Sequence, residues 1–407
     1  MAAKDTSSDE ESAAPLGEIQ VSFDDDGDPM SPRSLPVLRK WIIVLLVSSG
    51  SLCVTCASSI YTTTYDQMGA DLGISHFAST FGLSTFVFGF AAGGFLAGPF
   101  SEWYGRRPIY IISWMWFILW TVPPVALHNV YGICVVRFLA GCGGGTFLAV
   151  AGGTAGDVFS RSDIVAPMAV VSSAPFVGPC IGPLLGGFIC TYGDWRWTYY
   201  TMAIWGGVLL CCTILLVPET YHPVCLRRKA ALLRKQTGDD RYTGPKAFGS
   251  ESKVKALAVS LSRPPQMLFL EPMCLSLDVY SGLLLGILYS FFSSFPLVFG
   301  NVYNMSQWQS GLTFLGMIAG ITAAASTISF LPRLVGMEAA TEVSEPESRL
   351  TPAIPGAVFM PLGLFLFSWT IYPGVHWIVP IIGSAIFGYG MLLAFIGIFT
   401  FLVRQSP

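Results

Sequence analysis

Two ionisable residues, Arg137 and Asp278, stand inside long apolar stretches of the sequence. A charged side chain at the centre of a membrane-spanning helix costs about 2.5–3.5 kcal/mol on insertion scales, so such a residue normally faces a cavity or a partner. For Arg137 the alternative is that its long side chain reaches the outer surface of the membrane. For Asp278 the functional interpretation is a proton site, and the alternative is simple hydration near the cytoplasmic boundary.

Residue types that build enzyme and metal centres are present but are not grouped into such centres. The ten cysteines lie mostly within apolar runs, and we interpret them as small buried residues. The four histidines are far apart and lack HExxH spacing; they are His76, His128, His222 and His376. The sequence therefore predicts no metal site, no cofactor and no enzymatic activity.

The composition predicts a membrane protein. The chain has 407 residues, of which 53% are hydrophobic and only 12% are charged, and its mean hydropathy is +0.60. Soluble domains typically carry about 25% charged residues. The formal net charge of -3 indicates little about partners, and we expect the lipid bilayer, but no nucleic acid, among them.

The distribution of charge divides the chain into four regions. Residues 1–40 are polar and acidic and lack the apolar core of a signal peptide, so we expect a disordered cytoplasmic tail, with a regulatory tail as the alternative. Residues 41–217 contain six apolar runs. Residues 218–271 are rich in Lys and Arg, which marks a cytoplasmic linker or else a lipid-headgroup or partner site. Residues 272–407 contain about four more runs.

The segment Gly98–Pro108 reads GPFSEWYGRRP and separates two apolar runs, each long enough to cross a bilayer. It is therefore a short surface turn, and its two arginines place it in the cytoplasm. The pattern resembles the G-x-L-a-D-r-x-G-r-k loop between spans 2 and 3 of the major facilitator superfamily, and its form is similar to that of fungal drug:proton antiporters. The alternative is a basic turn of another membrane protein. The matching residues are Gly98, Glu102, Gly105, Arg106 and Arg107.

The fifth apolar run carries glycines at i, i+4 and i+8 and prolines on another face. The glycines predict a narrow groove for close helix packing, and the prolines remove backbone donors and bend the helix. The run resembles the antiporter motif G-x-x-x-G-P-x-x-G-G, whose helix is expected to rock during transport. The matching residues are Gly178, Pro179, Gly182, Pro183, Gly186 and Gly187.

Other candidate site residues follow from the same resemblance. Arg137 begins a fourth-span motif and is expected to line the cavity, with a role in coupling or in substrate polarisation. Asp157 ends the motif and is expected to pair with Arg106 or Arg107. Tyr61 and Tyr65 lie in SSIYTTTYDQM, which is similar to an element that faces the substrate cavity. The alternative is that its hydroxyls satisfy the backbone or neighbouring helices.

The resemblance implies an all-α polytopic membrane protein with the major facilitator fold. The implied function is proton-driven efflux of small organic compounds such as drugs, polyamines or secondary metabolites, most simply at the plasma membrane. Relatives carry a glutamate near FFEAFP that this chain lacks, so either Asp278 replaces it, or coupling differs, or coupling is lost. In the cytoplasmic latch that the resemblance implies, Asp157 joins Glu102, Arg106 and Arg107.

The count of apolar runs sets a further expectation. The superfamily has twelve spans in two bundles of six, and about ten are found here, so the resemblance implies a complete first bundle and a second bundle without spans 11 and 12. A non-transporting receptor or regulator, or an inactive short transporter, is the alternative function.

Overall fold

The structure is a computed structural model that describes residues 19–23, 28–160, 163–245, 261–262, 265–266, 268–334 and 352–405. The first half of the described chain is a bundle of membrane helices. Its first span is broken, because a 3-10 segment, Ile60–Thr64, separates two α-helices. The helices of this half are α1 (Val37–Ser59), α2 (Tyr65–Leu72), α3 (His76–Tyr104), α4 (Arg106–Thr121), α5 (Val130–Val158), α6 (Val165–Tyr192) and α7 (Arg196–Leu216).

A basic helix, α8 (His222–Thr237), follows the first bundle and lies within the Lys- and Arg-rich residues 218–271. The second half then continues with further membrane helices. They are α9 (Pro272–Asn301), α10 (Gln307–Leu312), α11 (Phe314–Leu334), α12 (Ala353–Trp369) and α13 (Ile378–Gln405). Short 3-10 turns also occur at Pro32–Ser34 and Pro123–Val125.

Within the described residues, nine helical stretches are long and apolar enough to span a membrane. The tenth expected span corresponds to α12, which is apolar but has only 17 residues. At 1.5 Å per residue it is about 26 Å long, slightly less than the roughly 30 Å of a bilayer's hydrocarbon core. The nine long helices and this shorter one together correspond to the about ten apolar runs counted in the sequence.

Polar caps fix where several of these helices begin. The Asn129 side chain accepts a hydrogen bond from the Tyr131 amide at 3.0 Å at the start of α5. Ser75 accepts one from the Ala78 amide at 3.2 Å at the start of α3. Both contacts satisfy amides that have no partner within the helix, which is why such residues favour these positions.

Each half has its own apolar core, and α6 contributes to both. The first core includes Phe86, Trp114 and Phe147. The second is centred on α9, α11 and α13, and it also contains Phe176 and Cys180 of α6. The helix that joins the two halves is thus the one with the regular glycine and proline pattern.

The N-terminal region differs from the disordered tail expected for residues 1–40. Strand β1 (Ile19–Gln20) pairs in parallel with β2 (Tyr242–Thr243). Asp28 forms an ion pair with Lys229 of α8 at 2.7 Å, in which the Asp28 side chain is 4% exposed. These contacts, together with the helix start at Val37, hold residues 19–23 and 28–40 against the bundle, whereas residues 1–18 lie outside the described part.

Candidate functional site

The loop between α3 and α4 folds around a carboxylate from the end of the first bundle. Gly105 has a φ of +98°, and a Cβ at this position would collide with the Glu219 carboxylate. The next amide, that of Arg106, donates to Glu219 Oε1 at 2.9 Å. Glycine is therefore required at position 105 both by the backbone angle and by the close approach.

Glu219 organises its own segment as well. Its Oε1 atom also accepts hydrogen bonds from the amides of Thr220 at 3.1 Å and Tyr221 at 3.0 Å. The residue is 7% exposed. Sequence reasoning did not assign Glu219 to a site, although it is an acid shortly after the last span of the bundle.

The Arg106 side chain joins α4 to α5. Its Nε atom lies 3.1 Å from Asp157 Oδ2, and its Nη1 atom donates to Ser101 Oγ at 2.6 Å. The structure thus contains the expected pairing of Asp157 with one of the two loop arginines. Arg107 instead donates to the Ile214 carbonyl at 2.7 Å. 

Glu102, the acid of the loop motif, lies apart from this network and is exposed. Gly98 is also uncrowded, because a Cβ there would meet no atom within 4 Å. The cytoplasmic acids that bind the loop are therefore Asp157 and Glu219. Whether Glu102 takes part in a latch stays a prediction.

Two ionisable groups beside this network lie outside the membrane helices. Burial raises the pKa of the Tyr221 hydroxyl, and the negative charge of Glu102 raises it further. Burial lowers the pKa of the His222 imidazole below its usual 6.5, and the Asp157 carboxylate partly opposes that shift. His222 also packs edge-on against Phe23, with ring centroids 5.7 Å apart. The N-terminal segment therefore contacts a histidine whose protonated form is disfavoured by burial.

The glycine face of α6 packs on the first span. Gly178 lies against Thr55, Gly182 against Ser59 and Gly186 against Thr63, so closely that an added Cβ would overlap each hydroxyl. The expected narrow groove is therefore occupied by α1 and the 3-10 segment that follows it, within the same bundle. 

The opposite side of α6 faces the second half. A Cβ at Gly187 would lie 3.0 Å from the Gln307 carbonyl oxygen, and one at Gly311 would lie 2.6 Å from the Pro183 carbonyl oxygen. Pro179 is buried within the same helix. Helix α6 therefore touches both bundles through small residues, and whether the bundles move on it stays a prediction.

Two hydrogen bonds join the halves in the described part of the chain. Tyr289 Oη lies 3.0 Å from Ser58 Oγ. Gln307 Nε2 donates to the Thr63 carbonyl at 2.7 Å. Basic loops place the chain's start on the cytoplasmic side, so the end of α1 reaches the outer side. These two contacts therefore join the halves toward the outer end of the molecule.

Arg137 is buried, with 4% of the residue exposed. Its guanidinium donates to three backbone carbonyls: Ala57 at 3.0 Å, Ser58 at 3.3 Å and Gly82 at 3.3 Å. The side chain thus points into the bundle, which excludes the alternative that it reaches the outer surface in this state.

Tyr61 and Tyr65 lie near this arginine. The guanidinium carbon is 4.1 Å from the centre of the Tyr61 ring and 4.4 Å from that of Phe86. Tyr65 packs edge-on against Tyr61 at 5.3 Å. Arg137 and Tyr61 also line an internal cavity of about 10 Å³, which has room for roughly one water molecule. The structure brings these three candidates together inside the first bundle.

Asp278 lies elsewhere, exposed on α9. It is eleven residues before Tyr289, which is about three helical turns, so both occupy nearly the same face of α9. Because Tyr289 contacts the first half, Asp278 lies on the face directed toward that half, about 16 Å nearer the cytoplasm.

Metal ligation has little support among the described residues, where no three His, Cys, Asp or Glu side chains are grouped suitably. One CxxC spacing, Cys53 and Cys56, does occur, and both residues are buried in α1.

The Major Facilitator Superfamily sequence model matches residues 47–407. The efflux pump atB of Aspergillus terreus is 43% identical over 95% of this chain and 75% of its own length. The probable drug/proton antiporter YHK8 of Saccharomyces cerevisiae is 35% identical over 94% of this chain and 76% of its own. Among solved structures, the partially occluded inward-open xylose transporter XylE from E. coli covers 90% of this chain and 87% of its own, at 16% identity, with a TM-score of 0.62. The fold is therefore shared, and the chain belongs to the major facilitator superfamily of multi-pass membrane transporters.

Proposed function

We propose that this transporter exports small organic compounds in exchange for protons, at the plasma membrane. The observation that carries the proposal is the sequence similarity to atB and YHK8, named as an efflux pump and as a probable drug/proton antiporter. Drugs, polyamines and secondary metabolites are the substrate classes considered. The compound would bind between the halves near the membrane midplane, where transporters of this architecture hold their substrates.

The contacts between the halves support alternating access. Gln307 and Tyr289 close the outer end through hydrogen bonds to the end of the first span. Deeper in the membrane, the Phe176 and Phe395 rings meet with centroids 4.6 Å apart. For release to the outside, these contacts must separate while the cytoplasmic ends approach, and α6 is the helix about which they would turn.

Asp278 is the proposed proton site. It lies on the face of α9 directed toward the first half, and it is exposed, so water entering from the cytoplasm can take up the proton that Asp278 would carry in from the outside. A carboxylate inside a transporter is costly unless it faces water or a partner. Its protonation would change the charge of the cavity by one unit during each transport cycle.

The cytoplasmic network would stabilise one of the two conformations. Arg106 joins Asp157 and Glu219 across α4, α5 and the end of the bundle. The Arg106–Asp157 pair is partly exposed, at 12% and 15% of the two side chains. Such pairs contribute about 1 kcal/mol or less, which is enough to shift a balanced equilibrium several-fold.

The test is the pH dependence of efflux from cells expressing Asp278→Asn. If Asp278 carries the proton, the variant should lose the dependence on external acid that the wild type shows. The matched control is Glu271→Gln, which removes a carboxylate just before the same helix begins. An identical pH profile for wild type and Asp278→Asn would reject the proton role. Ligand binding without export by the wild type would favour the receptor alternative.

A further inference from the structure

The end of the first span is stabilised by side chains in an unusual way. Helix α1 stops at Ser59, and the 3-10 segment Ile60–Thr64 follows. Backbone carbonyls near such a change lose regular helical partners. Here seven consecutive carbonyls, those of residues 55–61, each accept a hydrogen bond from a side chain.

Hydroxyl groups serve five of these seven carbonyls, each reaching back three residues. Ser58, for example, donates to the Thr55 carbonyl at 2.6 Å, and Thr64 donates to that of Tyr61 at 2.7 Å. This favours the interpretation that the hydroxyl-rich run satisfies its own backbone. The two carbonyls between the hydroxyl-bonded groups, those of Ala57 and Ser58, are bound by Arg137.

Arg137 makes three of its five closest contacts with this junction, which we define as residues 57–64. It binds two of the junction's carbonyls and lies over the Tyr61 ring. The remaining two contacts, with the Gly82 carbonyl and the Phe86 ring, fix it to α3. A guanidinium suits this task, because its rigid fork presents several donors in one plane.

The same junction carries both hydrogen bonds that close the outer end. The Ser58 hydroxyl donates to the Thr55 carbonyl, so it is free to accept from Tyr289. The Thr63 carbonyl accepts from Gln307. A change in the backbone of the junction would therefore move both acceptors away from the second half.

We infer that Arg137 is a positioning residue that holds the junction in the shape that closes the outer side. The inference rests on the proposed alternating-access function, but it assigns Arg137 to the gate and not to the substrate or the proton. Releasing the Arg137 contacts would let the junction relax, and the outer end would open more often.

Native Cys190 reports on this opening. It lies near the outer end of α6, is 5% exposed, and its sulfur is 3.7 Å from the Thr63 hydroxyl. The experiment measures how fast a membrane-impermeant maleimide labels the full-length chain in intact cells, without added substrate. Subtracting the rate of Cys190→Ser isolates the labelling of this one thiol.

Arg137→Lys keeps the charge but loses the fork. We expect it to raise the Cys190 labelling rate about three- to tenfold, the range that corresponds to losing roughly one net hydrogen bond from the closed state. Tyr289→Phe removes one closing hydrogen bond directly and should raise the rate similarly. Because both substitutions act on one gate, the labelling rate of the double variant should rise by less than the product of the two separate fold-increases.

Arg137→Gln is a second variant that retains only two donor hydrogens, on a shorter side chain without charge, so its labelling rate should equal or exceed that of Arg137→Lys. If Cys190 is labelled in Arg137→Lys at the wild-type rate, whether or not export is lost, the inference is overturned. Failure of both Arg137 variants to fold would also overturn it. If the wild type exports no compound yet labelling responds as described, the proposed function fails and the positioning role stands.

Discussion

Glu219→Gln is expected to destabilise the first bundle, because the carboxylate oxygen of Glu219 accepts three backbone hydrogen bonds of 2.9–3.1 Å. Glutamine retains an acceptor of the same shape but removes the charge. A hydrogen bond to a charged group contributes about 1.5–3 kcal/mol, against about 0.5–1.5 kcal/mol for a neutral pair. The loss is then about 1 kcal/mol per bond, or about 3 kcal/mol for the three. 

The assay is the apparent melting temperature of the purified protein in detergent at a fixed heating rate, since unfolding of such a chain is commonly irreversible. At about 2 °C per kcal/mol, Glu219→Gln should melt about 6 °C below the wild type. The control is Glu102→Gln, which changes an exposed acid at the same end and should shift melting by about 1 °C or less. Equal shifts, or a larger one for Glu102→Gln, would refute the assignment of Glu219 as the organising acid.

Three further predictions concern packing, the N-terminal segment and pH. Gly182→Val should abolish the peak of folded protein in size-exclusion chromatography, because a side chain at this position overlaps α1. The control Gly207→Val, which places its side chain in open space, should elute normally. Normal elution of both variants would contradict the close packing of α6 on α1. Asp28→Asn should increase proteolysis of the N-terminal segment several-fold by weakening its ion pair with Lys229, and unchanged cleavage would argue against that anchor. Because burial lowers the pKa of His222, the unfolded state binds the proton more readily, so the stability of the protein should fall as pH drops below 6.5. His222→Gln should reduce this dependence of stability on pH. An equal dependence in the variant and the wild type would exclude His222 as its source.

The membrane helices could be predicted from sequence because their signal is local. Long apolar runs, basic turns and glycines at fixed spacing depend on neighbouring residues only. The pairing of Asp157 with Arg106 or Arg107 was expected from the family resemblance, and the structure shows that the partner is Arg106.

Contacts between distant residues were less accessible. Glu219 binds the amide of Arg106 across 113 positions of the chain, and no local pattern distinguishes it from any other acid after a helix. Likewise, the acidic composition of the N-terminal region predicts disorder, yet Phe23 and Asp28 each find a specific partner on α8.

The broken first span shows a third kind of limit. A single helix over residues 41–65 satisfies the hydropathy pattern, but the structure inserts a 3-10 segment at Ile60. Another helix contributes to the break, because Arg137 of α5 binds two of the carbonyls there. Arg137 was therefore recognised from sequence as a charged residue within a span, whereas its contacts with the first span are visible only in the tertiary structure.

The most direct test of the proposed function is proton-driven transport by the purified chain in liposomes. The account predicts that a pH gradient with an acidic liposome interior drives a fluorescent amphipathic compound inward through transporters whose cytoplasmic side faces outward. The compound should accumulate above its external concentration, and a protonophore should abolish this accumulation. Accumulation that persists with the protonophore, or that equals the level in protein-free liposomes across drugs, polyamines and secondary metabolites, would contradict proton-coupled export.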